Sequence, residues 1–396
     1  MKGLKSSLFV LVLLLFWSSL FAQEKEAKKE EESGYRFTIV VEVPHTSVKN
    51  QARTATCWCF ATISFLESEF LRSHPNSDID LSEMFVVRHT YPHKARSYVR
   101  LHGNATFGQG GQSHDVIDQI RRYGIVPEEV YTGMRIGEKH HNHGEMFAVL
   151  RAMLDAVIQK RGSRLTPRWL EAFEAVLDVY LGRPPETFTY QGKTYTPKQF
   201  RDEYLKLNMD DYIEITSYNS YPFYSFCRLE VPDNWSFNDN YFNVPIDDME
   251  RIADNALKHG YSIVWDGDTS DRNFSTKKGY AIVPVEKEDN KSEKEKETAS
   301  KEPVPEKEIT QEMRQLTFDN YETTDDHLMH IVGLAQDQNG TKFYYTKNSY
   351  GPKRKYGGYI YLSRSYFRLR TIAIMVHKDA LPKDIKKKYL EALKAK

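Results

Sequence analysis

The chain has 396 residues, of which 40% are hydrophobic and 13% aromatic. That is enough to bury a large core in two or three domains, or in one large domain with an insertion. Lys and Arg number 55, as do Asp and Glu, so the net charge is zero and the basic signature of a nucleic-acid binder is absent. Three cysteines are too few for a disulfide scaffold and odd in number, leaving at least one unpaired.

Residues 1–22 begin with Lys2 and Lys5, continue through an apolar run from Leu8 to Trp17, and reach Ala22 by way of Ser18 and Ser19. Basic, then apolar, then small is the layout of a signal peptide cleaved near Ala22. The run is short against the roughly 20 residues that span a bilayer, so no stable membrane insertion is expected after cleavage. The expected location is outside the cytoplasm, periplasmic or secreted. Residues 23–34 are Glu, Lys and Ala rich and read as a solvated leader.

The β-branched stretch from Arg36 to Val43 predicts a strand. From Cys57 to Arg72, Phe60, Ile63, Leu66 and Phe70 recur at three to four residues and predict a helix. The same spacing predicts a helical pair over 146–158 and 168–181. Residues 187–200 predict a hairpin turning at Gly192, with a helix following to about Leu207. Together these form an expected helical insertion over about 145–208. Strands are expected over 259–285 and again from Thr317 to His377. Between them, 286–308 carries mixed charge with Pro303 and Pro305, and reads as a disordered loop. The end, 381–396, predicts a basic amphipathic helix, better suited to a neighbouring subunit than to a membrane surface.

Three stretches carry chemistry. Cys57 opens a helix, where backbone N–H groups and the macrodipole favour a thiolate nucleophile. Gln51, six residues upstream, can return through a turn as an oxyanion donor. His327 and His330 lie on opposite faces of one strand, so only one of them can serve a given site. Asn348, at the end of the strand KFYYTK, can hold an imidazole in orientation. Cys59 sits on a different helix face from Cys57 and should pack as a small apolar residue; its pairing with Cys227 is left open. His140, His141 and His143 have no metal-site spacing and read as an exposed polar loop.

Gln51 with Cys57-Trp58, Asp326-His327 with Gly333, and Lys347-Asn348-Ser349-Tyr350-Gly351 resemble, in that order, the motifs of papain-like cysteine peptidases. Leu81-Ser82-Glu83 and Gly110-Gly111 before Tyr123-Gly124-Ile125 agree. The 270 positions from Cys57 to His327 and the stretch 187–217 are similar to the bleomycin hydrolase and bacterial aminopeptidase C branch. The resemblance covers roughly residues 35–380. It implies an α+β fold of a helical and a β-rich lobe, and catalysis by Cys57, His327, Asn348 and Gln51. It also implies substrate contacts at Gly110, Gly111, Trp58 and Asp326, peptide substrates, and neither metal nor cofactor. A homo-oligomer, a ring of six, is implied as well. Aminopeptidase action ranks first; an open-cleft endopeptidase or oligopeptidase and an inactive peptide-binding protein are the alternatives. The sequence departs from the family pattern at Ala55, where glycine is usual, at Tyr350, where tryptophan is usual, and at His330, where an apolar residue is common.

Overall fold

The computed structural model describes residues 34–160, 164–285 and 303–396. The expected signal peptide and all but Gly34 of the leader lie outside the described residues. In chain order come β1 (Thr38–Glu42), α1 (Cys57–Ser73), α2 (Glu83–Arg100), α3 (Ser113–Tyr123), α4 (Gly144–Gln159) and α5 (Arg168–Leu181). A hairpin of β2 (Phe188–Tyr190) and β3 (Lys193–Tyr195) turns at Gln191-Gly192, both with positive φ. The chain then enters a turn of helix over Pro197–Gln199 that widens into a π-helix over Phe200–Leu205.

Strands β4 (Tyr212–Thr216), β5 (Ser225–Cys227) and β6 (Tyr241–Asn243) lead to α6 (Ile246–Lys258) and then β7 (Ile263–Gly267), β8 (Phe274–Ser275) and β9 (Tyr280–Ala281). After α7 (Gln311–Asp319) come β10 (His327–Gln336), β11 (Lys342–Lys347), β12 (Tyr359–Ser363), α8 (Arg364–Arg370), β13 (Thr371–His377) and α9 (Lys383–Ala395). One mixed sheet runs β5-β6-β4-β13-β7-β10-β11-β12-β9-β8, and β1 adds to β10. Strand β10 pairs with β7 from His327 to Ile331 and with β1 from Gly333 onward. Gly333 is required at the change of partner, because a Cβ there would overlap the Val41 carbonyl.

Side chains alternate across the sheet. Val264, Leu328 and Met375 join the core around Trp58, Phe65 and Phe85, while Ile263, Trp265, Ile331 and Ile374 join the core under α6. The first face meets α1, so the start of that helix sits against the start of β10. The architecture is α+β, a helical lobe packed on a β-rich lobe.

Several sequence expectations change in three dimensions. The insertion does not stand apart. Leu150, Phe173, Leu177 and Phe200 share one core with Trp58 and Phe65, because α5 packs directly on α2. Residues 286–302 lie outside the described residues, but 303–308 are held rather than loose: Val285 N–H donates to the Pro305 carbonyl and Lys307 N–H to the Val283 carbonyl. His143 is not exposed; it is 3% accessible, with no hydrogen-bond partner on either ring nitrogen, and burial pushes its pKa down to about 3. Helix α9 docks on its own chain through Ile385 and Tyr389, while Leu393 of the same stripe stays 44% exposed. Tyr389 packs against Phe226 and Phe242, and Ile385 joins the same core. No helix among the described residues is long and apolar enough to cross a membrane.

Candidate active site

Cys57 is the first residue of α1 and only 8% exposed. The loop before it needs one left-handed residue, Ala52 (φ 53°), and Ala55 is not strained, so the alanine in place of the usual glycine is accommodated. The Ala55 N–H donates to Gln109 Oε1 (3.2 Å) and the Trp58 indole N–H to the Gln109 carbonyl (2.9 Å). These bonds pin the 109–111 segment to the first turn of α1. Trp58 has no exposed surface and lies under Gly111. The expectation that Trp58 touches substrate is therefore corrected: its ring is covered by the segment it supports.

His327 starts β10 and is 3% exposed. Its Nε2 lies 2.8 Å from Asn348 Oδ1, which also accepts the Ser349 N–H at 2.7 Å. An oxygen accepting both bonds requires the proton on Nε2, leaving Nδ1 as the basic nitrogen. Tyr350 stacks on the ring at 5.0 Å and its hydroxyl is 3.5 Å from Nδ1, so a tyrosine lies over the imidazole. The Leu328 backbone, next to His327, hydrogen-bonds the Cys57 sulfur, which brings helix start and strand start together.

Gln51 is buried between the same two elements. Its Nε2 donates to the Thr54 carbonyl (2.7 Å), and its Oε1 accepts the Ser349 hydroxyl (2.6 Å). Its backbone N–H donates to the Ser349 carbonyl (2.9 Å). Ser349 thus ties Gln51 to the Asn348 strand end, a role the sequence did not reveal. His330 points away from this arrangement. Its Nδ1 lies 2.8 Å from Ser64 Oγ on α1, and the same hydroxyl accepts the Lys347 ammonium at 2.8 Å.

A family model described as "Peptidase C1-like family" matches residues 92–395, more than three quarters of the chain. The chain belongs to the peptidase C1-like family. Aminopeptidase G of Lactobacillus delbrueckii subsp. lactis is 23% identical, over 91% of this chain and 87% of its own. Bleomycin hydrolase of Mus musculus is 23% identical, over 88% and 84%. The crystal structure of PepW from Lactobacillus rhamnosis HN001 superposes with a TM-score of 0.68 at 19% identity, covering 90% of this chain and 85% of that one. This papain-like cysteine peptidase therefore lies in the bleomycin hydrolase and aminopeptidase C branch.

In the peptidase's closed cleft, burial outweighs the helix N-terminus. It pushes the Cys57 thiol up to about 12, against the backbone hydrogen bonds of Leu328 and Trp58, and the carboxylates of Asp233 and Asp325 push the same way. Burial likewise lowers His327, opposed by Asn348 and Asp326. The sequence expectation of a thiol with lowered pKa is corrected accordingly: burial raises the Cys57 thiol and lowers the His327 imidazole, and both shifts favour the uncharged forms. Cys57, Cys59 and Cys227 are all free thiols; Cys59 donates to the Glu83 carbonyl at 3.2 Å and Cys227 sits in a separate small core.

The cleft wall formed by 109–112 is charged. Lys94, fully buried in α2, donates to the Gly110 carbonyl. Gln112 Nε2 donates to Asp325 Oδ2 at 2.8 Å. Asp326, the neighbour singled out by sequence, is exposed and accepts the N–H groups of Thr269 (3.3 Å) and Ser270 (3.0 Å). Lys94, Asp233 and Asp325 escaped the sequence reading. Asp325 had a signal, as the second acid before His327; the other two had none.

Proposed function

We propose that Cys57, His327, Asn348 and Gln51 hydrolyse peptide bonds, and that the enzyme acts as an aminopeptidase. The observation that carries the reading is the His327–Asn348 bond, which leaves Nδ1 basic beside the helix start that bears Cys57. The thiol proton passes to Nδ1 as sulfur attacks the scissile carbonyl. Gln51 Nε2 and the Cys57 N–H, free of an intrahelical partner at the helix start, stabilise the oxyanion. The imidazolium then protonates the leaving amine, and water, deprotonated by the same imidazole, releases the acyl group and restores the thiol. The aminopeptidase reading is supported by relatives that bear that name.

Chelator-resistant peptide hydrolysis, lost by roughly 10⁴-fold or more in Cys57→Ala, is the expected result; full activity in Cys57→Ala overturns the site. Export belongs to the same reading, on the layout of residues 1–22. A mature chain from the envelope or medium beginning at Gln23 supports it, and an intact Met1 refutes it. Assembly into a ring of six is tested by sedimentation, where the mass of a single chain at micromolar concentration refutes it.

A further inference from the structure

The wall facing His327 holds a carboxylate that the hydrolytic chemistry does not use. Asp233 lies in the loop between β5 and β6, and a Cβ built on Gly110 would overlap its carboxylate. Glycine at 110 is what lets the carboxylate in. Among the described residues Asp233 makes no hydrogen bond or ion pair; the Lys94 ammonium and the Asp325 carboxylate act on it only through their fields. Behind it, Asp266 of β7 is 2% exposed and accepts from no donor; burial pushes its carboxyl well up, so that it is protonated and shares a hydrogen bond with Asp325. Asp233, Asp115 and Asp325 act on one buried ammonium, that of Lys94, whose hydrogen bond goes to the Gly110 carbonyl. Asp115 accepts the Gln112 N–H and the Trp235 indole N–H, and Asp325 the Gln112 amide, so Asp233 is the carboxylate of the three that no donor reaches.

The position also sets a length. The resemblance implies that the residue second from the cut runs along Gly110 and Gly111, and the Asp233 carboxylate lies against Gly110. An amino group and the carbonyl carbon of its own residue are about 2.5 Å apart. A charge-assisted hydrogen bond adds about 2.8 Å. One residue therefore bridges from the carboxylate to the attacked carbon. The fields of both Asp233 and Asp325 reach the Cys57 sulfur. Helix α9 does not supply the anchor: it is docked by Ile385 and Tyr389, and Lys396 is bonded to Asp239 Oδ1 at 3.0 Å.

Resting on the thiol-peptidase reading above, we propose that Asp233 binds the substrate's free α-ammonium, with Asp325 and Asp266 behind it, so that residues are released singly from the N-terminus. An N-acylated peptide has neither the charge nor the space. The substrate ammonium also offsets the carboxylate field that adds to burial in holding Cys57 protonated, so the correct substrate favours its own nucleophile.

The test uses the full enzyme and two fluorogenic substrates that differ only in a free or acetylated amine, with active thiols titrated by an alkylating inhibitor. The wild type should prefer the free amine and release single residues from an unblocked pentapeptide. In Asp233→Asn, kcat/KM for the free amine should fall roughly 10- to 100-fold, mainly through KM, the size of a charge-assisted hydrogen bond. The acetylated substrate should change far less. Asp233→Ala, which also removes bulk, should lose the free-amine preference and gain on the acetylated substrate. Parallel losses on both substrates, an unchanged preference, or release of dipeptides, with thiols fully titrating, overturn the assignment of Asp233. A wild-type chain whose Cys57 does not titrate and cleaves neither substrate overturns the peptidase reading itself.

Discussion

The two walls of the cleft are built on opposite principles. On the wall of Gln51, His327, Asn348 and Ser349, every polar group named above is neutral and hydrogen-bonded at 2.6–2.9 Å. On the wall of Lys94, Gly110, Asp233, Asp325 and Asp266, the groups are ionisable and incompletely paired. The first arrangement fixes atoms for bond making, where misplacement is costly. The second stores unmet charge, which suits recognition of a charged ligand. Burial pushes Asp325 up to about 7, with Asp233 adding to it, so this wall changes charge near neutral pH while the other does not.

Breaking the neutral wall should have the largest effect. Gln51→Ala removes the proposed oxyanion donor and the acceptor of the Ser349 hydroxyl, so kcat should drop roughly 10²- to 10³-fold with little change in KM. Steady-state kinetics on the free-amine substrate measures this; a loss confined to KM would place Gln51 in substrate binding instead.

The next test asks which wall governs the nucleophile. A thiol pushed up to about 12 gives a thiolate fraction that grows about tenfold per pH unit. Iodoacetamide inactivation should therefore steepen from pH 7 to 9 without a plateau, and Asp233→Asn should raise the rate at each pH. A plateau below pH 8 would mean that a thiolate–imidazolium pair forms at rest, and the contrast between the walls would fail for Cys57.

The smallest effect concerns how the charged side is supported. His114, 2.9 Å from Glu214 Oε2, is lowered by burial but raised more by Glu214 and Asp115, to about 9. Its folded value exceeds the ordinary 6.5, so its contribution is full below pH 6.5 and is lost as pH rises through 9. Denaturant unfolding should show roughly 2–3 kcal/mol of stability lost across that window. The double variant His114→Gln/Glu214→Gln should flatten the slope; an unchanged slope would assign it to other groups.

Legibility in the sequence followed the range of the interactions. The helix from Cys57, the hairpin at Gly192 and the helices over 144–159 and 168–181 were readable, since each shows its apolar period or turn residue locally. Helix α2 was not, because Pro92, two histidines and the buried Lys94 interrupt its apolar pattern. Helix α6 had a legible stripe in Ile246, Met249, Ile252 and Ala256, which the sequence reading passed over. Tyr350 stood out only as a substitution; that its ring stacks on His327 needed the strand end to be folded against β10.

The sequence by itself determined the residue types able to do the chemistry and their order, because a nucleophile, a base and an orienting amide must be those side chains whatever surrounds them. It also determined the local elements that present them, a helix start and two strand ends. Only the tertiary structure decided the protonation of the site. The thiol's pKa depends on burial and on carboxylates 176 and 268 positions away in the chain, Asp233 and Asp325, which meet Cys57 only in the closed cleft. The same holds for Asp233 at Gly110: no local pattern marks a carboxylate for a glycine 123 residues earlier, since the contact exists only once the loop folds across the cleft.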